Sequence, residues 1–108
     1  MTQEEFLKEK VFTGLTNLND GFADASTFCF SETDFEKLLE RVAYFGIAIH
    51  EIEAFKNGQS VATVNHKEYK RKATDAKWYT KAFSTQIHKE KELLYSANYK
   101  VSKKLLAR

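Results

Sequence analysis

The chain has 108 residues, 43% of them apolar and 14% aromatic, enough to bury roughly 60–65% of its unfolded surface as one ordered domain. Its 17 basic and 15 acidic residues nearly cancel, so no global field demands a polyanionic partner. A single cysteine excludes an intramolecular disulfide framework. No apolar run reaches the ~20 residues of a membrane span and the start lacks a signal-peptide pattern, so the expectation is a soluble, cytoplasmic protein with no membrane partner.

Thr2-Gln3-Glu4-Glu5 is a capping box that opens a short helix showing Phe6, Leu7 and Val11 on one side, with Gly14 as its stop. Asn17, Asn19, Asp20 and Gly21 carry turn chemistry, so 15–25 reads as a loop pinned by Phe22. A short strand over 26–30 follows; inside it Cys29 reads as a packed residue rather than a nucleophile. Ser31 and Thr33 both precede an acidic residue by three, which starts a helix securely. Phe35, Leu38, Leu39, Val42 and Phe45 form its buried stripe, while Glu36, Lys37, Glu40 and Arg41 take the wet side. Gly46 ends it.

A strand over 47–55 runs into Asn57-Gly58, the strongest short hairpin signal. A two-residue loop sets 54 opposite 61, 52 opposite 63 and 50 opposite 65. The apolar phase slips between Ile49 and Ile52, which implies burial on both faces or a β-bulge near His50 and Glu51. A basic connector over 66–72 leads to a helix from Thr74 and Asp75 with Trp78, Tyr79, Ala82, Phe83 and Ile87 on its apolar side. The last strand alternates Tyr95, Ala97, Tyr99 and Val101 with polar residues.

The element order therefore predicts one α+β domain: an N-terminal helix and loop over 1–25, a β-α-β-β-α-β core over 26–102 and a tail over 103–108. The corresponding architecture is ferredoxin-like, an antiparallel sheet in the order 4-1-3-2 with both long helices on one face. That order puts the strands at 26–30 and 59–65 in the middle and those beginning at Ile47 and Tyr95 at the edges. One sheet face is left for the N-terminal helix, a second chain or a ligand.

For function the sequence offers three readings. In the first, the chain is a small non-enzymatic protein-binding module, of the inhibitor, adaptor or immunity kind, with Trp78, Tyr79, Tyr69 and Tyr44 as interface anchors. Its partner is another protein or a second copy, the latter pairing through the Tyr95 edge strand or the open sheet face. In the second, Lys67, Lys70, Arg71 and Lys72 around Tyr69 bind RNA or single-stranded nucleic acid. RNA-recognition modules, though, stack bases on aromatics of both central strands, and the strand over 59–65 has none. In the third, a small enzyme has its site near His50. No glycine-rich phosphate loop, zinc cysteine pair or serine elbow is present, and no cofactor or metal is expected. With His50 opposite Asn65, His66 points to the other face, so the two imidazoles share no metal unless a bulge intervenes.

Overall fold

A computed structural model describes residues 1–21, 27–89 and 92–107, with only the backbone of 86–89. The expected roles of Phe22, Ile87 and the first residue of the strand over 26–30 lie outside it. The elements in chain order are α1 (Gln3–Phe6), which continues as a π-helical turn over Leu7–Val11, α2 (Glu32–Phe45), β1 (Ala48–Lys56) and β2 (Gln59–Asn65). After these come a 3-10 turn (His66–Tyr69), α3 (Ala76–Lys89), β3 (Leu94–Lys100) and α4 (Lys103–Leu106). The domain is α+β with a three-stranded antiparallel sheet.

Local signals fix the helix ends. Thr2 closes its capping box with Glu5, and the Ser31 hydroxyl accepts from the Asp34 amide. Gly46 adopts the left-handed conformation at φ 69 and sends its N–H back to Ala43 and Val42, which satisfies carbonyls the helix leaves open. The residues expected to form a bare tail instead form α4: Ser102 caps it, and Leu105 and Leu106 pack on the core.

The sheet order is β2-β1-β3, which differs from the expected 4-1-3-2. Among the described strands the first strand of the hairpin is central and the second is at an edge. Of the expected first strand, the described residues contribute one bridge, Phe30 to Tyr95, so the described strands do not complete the ferredoxin-like order. The strand of Tyr95 is at a sheet edge, as expected, and Tyr95 itself makes one bridge to Phe30 on that side. Both long helices pack on the same side, as expected. Phe35 of α2 and Phe83 of α3 meet at 5.3 Å, and both rings touch Tyr95. Val11, Phe30, Ile52, Trp78 and Val101 join this single core.

Asn57 and Gly58 form the turn, both at positive φ (51 and 79), with Lys56 opposite Gln59. Beyond it the register departs from the expectation. Phe55 faces Ser60 but Ala54 faces Ala62, so Val61 is an extra residue in β2. This bulge moves every later pair by one: Ile52 faces Val64 and Glu51 faces Asn65. Ile52, Ala54, Ala62 and Val64 then share the face beneath Ala82 of α3, while Val61 is 47% exposed. A second irregularity, between Ile49 and Glu51 in the pairing with β3, is the bulge, one of the two alternatives that the slipped apolar phase left open.

Candidate binding cleft

The free side of β3 is closed in an unusual way. Tyr95 exchanges both backbone bonds with Phe30, at 2.8 and 2.9 Å. Further along, among the described residues, no strand pairs with it, and the carboxamide of Gln3 meets its backbone: Nε2 donates to the Tyr99 carbonyl at 3.0 Å, and Oε1 accepts from the Val101 amide at 2.9 Å. One side chain thus imitates one peptide unit. Strand alternation turns the N–H and C=O of Ala97 to the same side, midway between these two closures. Among the described residues Ala97 finds no partner there.

A cleft of about 350 Å³ opens at that gap. Its walls include Phe12, Phe28 and Tyr99, with Gln3 and Lys8 from the first helical segment and Glu53 from β1. Phe12 is the organising ring, stacked on Phe28 at 4.9 Å and edge-on to Tyr99 at 5.6 Å. The π turn places it there, since the Phe12 amide bonds to Leu7 O at 2.7 Å, five residues back. Arg41 then secures the end of that turn, donating from Nη1 to the carbonyls of Val11 (2.7 Å) and Thr13 (2.6 Å). Helical periodicity assigns Arg41 to the solvent face, and only the neighbouring segment reveals its role. On the other wall, Asn17 Oδ1 accepts from the Cys29 amide at 3.0 Å, and the Leu18 amide donates to Cys29 O at 2.7 Å. Lys8 Nζ stands 5.9 Å from the Phe28 ring centre, within cation–π range.

Behind the cleft lies the buried Cys29. Burial pushes the Cys29 thiol up to about 11, with the Glu53 charge adding to the effect, so the nucleophilic thiolate is suppressed at neutral pH. Burial, reinforced by Cys29, also drives the Tyr99 phenol above its usual range. Among the described residues the buried Tyr99 hydroxyl has no hydrogen-bond partner, a group that normally finds one.

The residues expected to anchor a partner are scattered. Trp78 and Tyr79 are both 1% exposed and fill the core, so they are closed to a partner in this state. Tyr69 is half-buried with its ring 6.0 Å from Trp78. Tyr44 is 83% exposed at the end of α2. The basic residues Lys67, Lys70, Arg71 and Lys72 are all exposed. Asn65 organises their turn, accepting from the Lys67 and Glu68 amides, and Arg71 is bonded to Asp75 at 3.5 Å. With Tyr69 leaning on the core, this patch lacks a free ring for stacking.

His50 and His66, expected on opposite faces, stand with ring centres 5.6 Å apart. The Val61 bulge is the cause: with Glu51 opposite Asn65, the next cross-strand neighbours are 50 and 66. No protein-family model, curated protein or solved structure matches this chain.

Proposed function

We propose that this chain is a non-enzymatic binding module that receives a side chain of a protein partner in the cleft beside β3. The observation that carries this reading is the aromatic-walled cleft that the described residues form beside Ala97. Among the described residues, an unpaired backbone donor and acceptor at Ala97 and the rings of Phe12, Phe28 and Tyr99 line one opening of about 350 Å³. Such a mixture of apolar walls and a few polar groups suits a recognition pocket. It favours a side chain with an apolar stem and a polar tip, the stem lying on Phe12 and Phe28. Lys8 and Glu53 give the cleft both signs of charge and steer the approaching surface. Tyr44, exposed elsewhere on the molecule, is not required.

The test is affinity capture from the native host with the whole chain and two variants. Phe28→Ala removes a half-buried wall and is expected to reduce capture at least about tenfold, the loss of an aromatic anchor. Tyr44→Ala is expected to leave capture unchanged. Retained capture by a folded Phe28→Ala protein overturns the reading. A captured nucleic acid whose binding weakens with salt and with Lys70→Ala and Arg71→Ala replaces it by the RNA alternative.

A further inference from the structure

The pair His50 and His66 is the cluster that the cleft does not absorb. Two bulges create it. The extra residue at Val61 makes positions 50 and 66 neighbours across the hairpin, and the irregularity at His50 in the pairing with β3 frees that residue from the ladder. His50 is exposed, and its ring lies at 68° to that of His66 with centres 5.6 Å apart. Two imidazoles that share one ion through nitrogen bonds of about 2.0–2.1 Å stand with ring centres roughly 5–6 Å apart.

The tautomer of His66 is set as a metal ligand requires. Its Nδ1 lies 2.8 Å from the Arg71 carbonyl, and a carbonyl only accepts, so Nδ1 carries the proton. The neutral ring is thereby left with its lone pair on Nε2. A ligating histidine held by a backbone carbonyl through its other nitrogen is the usual outer-shell arrangement.

We propose that His50 and His66 form a two-imidazole site for a late divalent transition ion, copper or zinc, with water in the remaining positions. Among the described residues no group of three or more His, Cys, Asp or Glu gathers around an ion, which is why water completes the shell. Imidazole nitrogens select these ions over magnesium and calcium, which prefer oxygen. The Irving–Williams order places copper above zinc. Bound there, the ion ties the central strand to the start of the basic connector.

The molecule carries its own reporter, because Trp78 is the only tryptophan and its ring lies 6.3 Å from His66. Titration of the full chain with Cu²⁺ is expected to quench Trp78 fluorescence at one equivalent, and Zn²⁺ to compete for the same site. His50→Ala, at an exposed position outside the core, should weaken both at least about tenfold, since even the loss of an outer-shell partner costs 10–100-fold. His66→Ala should do the same, and if it disturbs folding by circular dichroism, His50→Ala alone decides. His88→Ala should change nothing. Mg²⁺ should neither quench nor compete. Stoichiometric quenching that survives His50→Ala, quenching lost with His88→Ala, or no quenching at one equivalent of Cu²⁺ each overturn the proposal.

Discussion

The two sides of β3 are closed by different means. Toward β1 it is held by an antiparallel ladder from Leu94 to Lys100, irregular only at His50. Toward the outside, among the described residues, it is held by one bridge at Phe30 and one glutamine side chain. The first closure is made by the backbone and demands only that the residues be extended. The second depends on particular side chains brought from the far end of the chain: Gln3 lies 98 residues from Val101, and Arg41 reaches 30 residues back to Val11. Backbone pairing joins two strands along their length, whereas the described residues on the outer side of β3 border the cleft.

Raising the pH is the broadest way to stress both closures, and it carries the largest expected effect. Burial lifts Cys29 from 9.0 to about 11, and Tyr79 and Tyr95 from 10.0 to about 12. Each folded-state pKa is raised, so below pH 9 both folded and unfolded chains are protonated and full stability is present. Above it the unfolded chain ionises first, and stability falls until the folded groups also titrate. A urea midpoint constant to about pH 9 and then dropping steeply toward pH 12 is expected. Cys29→Ala should delay the onset by removing the group that titrates earliest, and an unchanged profile in that variant refutes its burial as the cause.

Breaking the hairpin comes next. Gly58 sits at φ +79 after Asn57 at φ 51, a pair of left-handed positions that a two-residue loop requires. Gly58→Val should cost about 2 kcal/mol, because a β-branched residue resists positive φ. Thermal melting of the two proteins measures it directly. An unchanged melting temperature contradicts the strain.

How far the sequence could be read follows the same division. Asn57-Gly58, Gly46, Ser31 and Thr2 act within four residues of themselves, so their turn, stop and caps were legible and the structure has them. The slipped apolar phase around His50 allowed a bulge or burial on both faces, and the pairing with β3 has the bulge. Nothing announced the one at Val61, because a hairpin rule assumes regular pairing and Val61 is as strand-like as its neighbours. That single extra residue exchanged the faces of β2 and brought His50 to His66. Trp78 and Tyr79 illustrate the converse limit, since aromatic side chains suit cores and interfaces alike. The Gln3 closure left no trace at all, for a glutamine in the first turn of a helix has no signature of strand mimicry.

Gln3→Ala isolates that last closure and should have the smallest global effect. Two part-buried hydrogen bonds to backbone are lost, worth about 1–2 kcal/mol together. Part of that is recovered as water reaches Tyr99 O and the Val101 amide. The consequence is local: amide exchange at Val101 should accelerate, while amides of β3 that bond toward β1 keep their protection, because the two sides open independently. Gln3→Glu sharpens the comparison. A carboxylate still accepts from Val101 but no longer donates to Tyr99 O, so protection at Val101 should largely return. If Val101 exchanges no faster in Gln3→Ala than in the wild-type chain, the carboxamide is not what closes the sheet, and the gap at Ala97 loses its upper boundary.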